Sequence, residues 1–128
     1  MHPDIVTLCH SAVVQSDQLS ILAAFNTIHV AALPHKFPPF SLACRLRFDR
    51  SWAGDHNLKV TVVDPDGRVL AQMVVSFRLD RGLFQPAATM NLVFPISGME
   101  LRTQGEHAID LILDDRPALR TPFYVTRP

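Results

Sequence analysis

Six histidines and two cysteines are the residues of this chain best equipped for chemistry: His2, His10, His29, His35, His56, His107, Cys9 and Cys44. A metal site needs several such donors converging at about 2.0–2.3 Å. The short spacings that bring them together, His-x-His, His-x-x-x-His and Cys-x-x-Cys, do not occur. Cys9 and His10 are neighbours, but adjacent strand residues point to opposite faces. A site built from His10, His29 and His35 requires the first two strands to pair suitably. The bland reading, ordinary surface or interface histidines, is preferred, and no metal or cofactor is expected.

A cysteine nucleophile needs a base in reach and a depressed pKa. Cys44 alternates with Leu42 and Leu46, which predicts a buried, inert thiol. Cys9 shares the polar parity of Thr7 and Ser11 and is the better candidate for reactivity. Free cysteine more commonly packs as a small hydrophobe, and both are read so. Carboxylates come in pairs, Asp64 with Asp66 and Asp114 with Asp115. Such pairs could act as general acid and base or hold calcium. Each pair, however, lies in a turn, where aspartate is wanted for backbone reasons. Gly-x-Ser-x-Gly and glycine-rich phosphate loops are absent, so no enzymatic activity is expected.

The elements that position these groups are strands. Ten prolines and five glycines punctuate short apolar segments across 128 residues, the spacing of an all-β sandwich or barrel. In Phe40–Phe48, Phe40, Leu42, Cys44, Leu46 and Phe48 share one parity, while Ser41, Ala43, Arg45 and Arg47 share the other. On a pleated strand one parity is buried and the other solvated. The run 56–64 puts Leu58, Val60 and Val62 inward. Asp64-Pro-Asp-Gly67 is a turn with proline at the second position and glycine available for positive φ. The run from Val69 to Phe77 returns with Val69, Ala71, Met73, Val75 and Phe77 on one parity, completing a hairpin.

Further strands are expected over 89–96, 106–114 and 119–125. Pro95 would remove a ladder donor, which predicts an edge or a bulge there. Residues 4–14 and 19–30 flank a turn at Gln15-Ser-Asp-Gln18, and Leu33–Pro39 reads as an extended crossing. Eight strands with one crossing make a single-domain, antiparallel, immunoglobulin-like β-sandwich of about 7–8 strands over residues 1–128 the most economical architecture.

Several segments together resemble a family of short bacterial proteins that carry a domain of unknown function. They are Leu8-Cys9, Leu19–Ile28, Phe37-Pro-Pro-Phe40, Leu46-Arg-Phe48, Val63–Arg68 and Gly105–Asp114. The likeness spans nearly the whole chain and rests on structural motifs. It implies the sandwich fold and no cofactor, and it transfers no site residues. Gly105-Glu-His-Ala-Ile109 is also similar to the Gly-x-Tyr segment of immunoglobulin-like domains, where a tyrosine hydroxyl ties a corner. His107 stands at the tyrosine position, and its imidazole reaches less far than a tyrosine hydroxyl.

Charge narrows the function classes. Twelve basic residues balance twelve acidic ones, and no basic run marks a phosphate-binding groove. Arg45, Arg47, Arg50, Arg68 and Arg78 stand apart, as on a solvated face. No apolar run approaches the roughly 20 residues of a membrane helix. The first ten residues lack the pattern of an export signal, so a cytoplasmic chain with reduced thiols is expected.

The remaining clue is an apolar surplus. Val63, Val74, Val93 and Ile112 fall on outward parities, and several such residues can join into a partner surface. The reading is therefore a non-enzymatic protein-binding or assembly module, self-associating through a sheet face or edge strand, with neither nucleic acid nor membrane as partner. The alternative is a small-ligand binder using end loops around 33–40 and 98–104, with His35, Phe37 and Phe40 as contacts. A bulge that slips parity would undo the outward assignments.

Overall fold

The computed structural model describes all residues from Met1 to Pro128. Its strands are β1 (His2–Gln15), β2 (Gln18–Phe25), β3 (Thr27–His29), β4 (His35–Lys36), β5 (Phe40–Phe48) and β6 (Gly54–Val63). They continue with β7 (Val69–Leu79), β8 (Ala88–Ile96), β9 (Glu100–Leu101), β10 (Gly105–Leu113) and β11 (Arg116–Thr126). One sheet runs in the order β2-β1-β5-β8 and the other β3-β11-β10-β6-β7. This division of strands between two packed sheets is that of an immunoglobulin-like sandwich.

Eleven strands replace the expected seven or eight for identifiable reasons. The run 19–30 is not one strand. It breaks at Asn26, so that β2 pairs antiparallel with β1 while β3 joins the other sheet, parallel to β11. Asn26 bridges the break by accepting the Tyr124 N–H on its carbonyl at 2.8 Å. The crossing and the 98–104 loop also contain β4 and β9, which pair as a two-residue ladder.

Alternation builds the core. Phe40, Leu42, Cys44, Leu46 and Phe48 are all buried, facing Leu58, Val60, Val62, Ile109, Leu111 and Leu113 of the opposite sheet. Turn chemistry closes the hairpins. Ser16 and Asp17 (φ 50° and 59°) and Asp114 and Asp115 (φ 51° and 64°) both supply the positive φ at two successive positions that a tight hairpin needs. At the Asp64 turn the Gly67 N–H donates to the Asp64 carbonyl at 3.0 Å. The Asp64 carboxylate accepts the Asp66 and Arg68 N–H groups at 2.9 and 2.8 Å.

The β6–β7 hairpin contains one bulge. Val62 stands opposite Ala71, yet Val63 stands opposite Val69, leaving Leu70 as the extra residue. Parity therefore slips once, and Val69, expected inward, points out and is 56% exposed. Pro95 lies on β8, an edge strand, as its missing N–H requires.

β1 runs past the end of its pairing with β5 at Cys9 and continues with β2 as a two-stranded arm. The arm folds back over the outer face of the first sheet. Asn91 of β8 donates from its side chain to the Asp17 carbonyl at the arm's tip at 3.0 Å, while accepting from Arg45 at 2.9 Å. Asn91 lies in register with Arg45 and Ile5, so a straight arm would carry Asp17 far from it. The fold-back accounts for buried Ala43 and Cys9 on an outward parity.

Candidate functional site

The four outward apolar residues do not form one face. Val63, Val74 and Ile112 lie on the outer face of the five-stranded sheet, on β6, β7 and β10. Val93 lies on β8 in the other sheet, opposite buried Ala43. The sequence could not reveal this, because parity assigns a face and not a sheet. Within the five-stranded sheet, Ile112, Lys59 and Val74 make one cross-strand row and Ala108, Val63 and Val69 another. Between them runs a polar row, Arg120, Asp110, Thr61 and Gln72. Its Arg120–Asp110 pair is bidentate, at 2.7 and 2.9 Å. Val74 is the most exposed of the four, at 62%, whereas Val63, Val93 and Ile112 are half-buried.

Val74 is on β7, whose other side has no strand neighbour. The four sheet edges differ in how they are blunted. β3 is three residues long, β8 carries Pro95, and β2 contains Ala23 in the left-handed region and ends in the folded arm. β7 is eleven residues long and without proline. Its one charged residue, Arg78, is taken up by Asp55 and Asp80 at 3.2 and 2.9 Å. Charges, prolines and shortness are devices that stop an edge from pairing. β2 also lacks charge and proline but is interrupted at Ala23. β7 is the longest of the four edge strands, with no proline and its one charge already paired.

The alternative residues do meet. β4–β9 pairing and the Phe37 N–H to Met99 carbonyl bond (2.9 Å) join the 33–40 and 98–104 loops. Phe37 packs edge-on against Phe40 (5.3 Å), Phe25 (6.1 Å) and His35 (6.5 Å). These rings fill the space between themselves, and Phe40 is buried. The cluster reads as an extension of the core and not as a concave receptor.

A polar centre that sequence reasoning missed lies at the other end. The His56 ring is 12% exposed and lies beside Trp52 (5.4 Å) and Phe77 (5.6 Å). Nδ1 is 2.6 Å from an Asp114 carboxylate oxygen and Nε2 is 2.6 Å from the Trp52 carbonyl. Both partners can only accept, so both contacts are hydrogen bonds only when both ring nitrogens carry hydrogen, as they do in the imidazolium. Burial pushes His56 down, but the bonds to Asp114 and Trp52 and the charges of Asp114 and Asp55 outweigh it and raise its pKa. Asp114 is held below the usual carboxylate range by the Asn57 N–H and by His56.

Ser76 stands nearby with His56 and Asp114 around a surface depression of about 440 Å³. These three do not make a nucleophile with its base. Ser76 donates to the Asn57 side chain at 2.7 Å, and the His56 Nε2 that would serve it is bound to a carbonyl. Only the turn at Asp114–Asp115 was visible beforehand. No sequence signal links His56 to Asp114, 58 residues away.

The cysteines sit on opposite faces of the first sheet, three registers apart: Val6 opposes Cys44 and Cys9 opposes Ser41. Burial raises the Cys9 pKa and pushes Cys44 up to about 12. Cys9 donates to the Ser41 carbonyl at 3.6 Å. This is the reverse of thiolate activation.

No three His, Cys, Asp or Glu side chains come together in a metal-binding group. His10 is exposed on the arm, His29 bonds Thr126 at 2.8 Å in the other sheet, and His35 packs on Phe37. Asp64 is engaged by its own turn. His107 is buried, donates from Nδ1 to the Gly105 carbonyl at 3.1 Å and tilts against Phe123 at 5.0 Å. That bond reaches only two residues back, so it does not tie a corner as tyrosine would. No helix of the structure is long and apolar enough to cross a membrane.

A family model described as a Family of unknown function (DUF6941) matches residues 4–126. No curated protein matches the chain. Among solved structures, the alkylpurine DNA glycosylase AlkC of Pseudomonas fluorescens, bound to DNA containing an abasic site analog, is 14% identical with a TM-score of 0.53. That likeness covers 79% of this chain and 27% of the glycosylase, and it bears on the fold alone. A β-glucosidase from Listeria innocua in complex with isofagomine is 9% identical with a TM-score of 0.49, over 80% of this chain and 15% of that one. An immunoglobulin-like protein from Pseudomonas aeruginosa is 19% identical with a TM-score of 0.40, over 98% and 95%.

Proposed function

The chain belongs to the Family of unknown function (DUF6941), and from that premise we propose that it is a non-enzymatic protein-binding module working through the free edge of β7. The observation that carries this is the edge itself. An eleven-residue strand, regular from Ala71 onward, lacking proline and presenting an exposed Val74 at 62%, has no strand partner on its outer side. Unpaired N–H and C=O groups along such an edge accept an extended partner strand, and alternate side chains give the pairing its selectivity.

The polar chemistry supports a scaffold. The His56 ring is committed at both nitrogens, the thiols are buried, Asp64 serves its turn, and the Asp114 carboxylate is taken up by Asn57 and His56. Four arginines are paired with carboxylates, Arg47 with Asp4, Arg78 with Asp55 and Asp80, Arg102 with Glu100, and Arg120 with Asp110. That supports a protein partner over a nucleic acid. Two unbridged thiols suit the cytoplasm.

A photo-crosslinking amino acid at position 74, in the cells that make the protein, tests the reading. Specific protein adducts are expected at 74 and not at the exposed control position Arg102. Equal adduct levels at both positions would contradict the proposal.

A further inference from the structure

Resting on that reading, we infer that the partner strand is β7 of a second copy, paired antiparallel about a two-fold axis at Val74. Val74 is the middle residue of Val69–Leu79, so this register uses all of the regular stretch Ala71–Phe77; beyond the Leu70 bulge Val69 points out while its opposite, Leu79, is buried. Antiparallel strands place opposing residues on the same face, and from Ala71 to Phe77, the stretch clear of the Leu70 bulge, the resulting pairs are complementary.

On the outer face Val74 meets Val74 of the second copy, and Gln72 meets Ser76. On the inner face Met73 meets Val75, and the small Ala71 meets the large Phe77. All four inner residues are half-buried against the core, so the new strand continues an existing apolar layer. Arg78 falls opposite Leu70, and no like charges oppose each other. The neighbouring registers are poorer. Centring on Met73 sets apolar Val74 against polar Gln72 and Phe77 against Val69, across the Leu70 bulge. Centring on Val75 sets apolar Val74 against Ser76.

Pairing about a two-fold is isologous and closes at two copies. The half-buried parity of both strands stays on one side of the joined sheet. Each copy thus covers the other's longest free edge, and the closed pair leaves no second β7 edge to propagate a fibre.

Sedimentation equilibrium from about 1 μM to about 1 mM, with Val74→Lys as the variant, tests the inference. The wild type is expected to rise from one-copy to two-copy mass. Val74→Lys places two ammonium groups face to face and should weaken the dimer about tenfold or more. Val74→Cys provides an exposed thiol beside two buried ones. Under mild oxidation it should form a 74–74 disulfide faster than a cysteine placed at exposed Ser20.

A wild type that stays at one-copy mass overturns self-pairing. So does a dimer that Val74→Lys leaves intact, or one that Val74→Cys does not cross-link faster than Ser20→Cys. Adducts of position 74 with other proteins alone, on a monomeric chain, refute self-pairing and leave the binding role of β7 standing. No adducts at 74 remove both.

Discussion

Replacing His56 by alanine should cost stability in a pH-dependent way, because the ring works as a doubly bonded cation. His56 joins three segments: its own strand β6, the Trp52 carbonyl of the preceding turn, and Asp114 of the β10–β11 hairpin. A hydrogen bond to a charged group contributes about 1.5–3 kcal/mol. Asp114 is 40% exposed, so solvent screening puts the pair at the lower end. Loss of ring packing on Trp52 and Phe77 adds about 1 kcal/mol. The expected penalty of His56→Ala is therefore about 2.5 kcal/mol at pH 6.

The pH dependence follows from the raised pKa of His56. The stabilisation is fully present below the unfolded histidine value of about 6.5 and is lost as pH rises through the higher folded value. Neutral imidazole keeps one N–H, so either Asp114 or the Trp52 carbonyl then loses its donor. At pH 9 the penalty of His56→Ala should fall to about 1.5 kcal/mol. Asp114, whose pKa is lowered, contributes in the opposite range. Its share is present above the usual carboxylate value and disappears as pH falls through the folded one. Urea unfolding followed by Trp52, the single tryptophan, measures both proteins at both pH values. A penalty that is the same at pH 6 and pH 9 would refute the imidazolium clip.

Two other outcomes are expected. Asn91→Ala should free the arm tip, raising amide exchange at residues 16–19 while leaving the exchange of β5, β6 and β10 unchanged; hydrogen–deuterium exchange reads both. Neither cysteine should react with a thiol reagent at pH 8 in the native state, whereas both should react in urea; a thiol that reacts at once in native protein would contradict its burial.

Much of the fold was legible where one residue type had one physical role. Phe40–Phe48 alternates because one face packs on the opposite sheet, and its bounds agree with the sequence. Asp64-Pro-Asp-Gly67 is local chemistry, with a carboxylate satisfying nearby N–H groups, so the hairpin could be read from four residues. Pro95 announced an edge for the same reason. What depended on distant partners was not legible. The break at Asn26 depends on β11 arriving beside it. Val69 faces out because Leu70 bulges, a slip that alternation cannot reveal. Val93 looked like Val74, yet belongs to the other sheet. The joining of His56 to Asp114 depends on the β6–β10 register, and neither residue carries a local sign of it. The edge status of β7, on which the functional reading rests, is a property of sheet order and not of any residue in the strand.

Concentration-dependent amide exchange over Val69–Leu79 tests the use of that edge most directly. The account predicts slower exchange along β7 as protein concentration rises from about 5 μM to about 500 μM, with the β2 and β8 edges unchanged. Exchange along β7 that is the same at every concentration would contradict it.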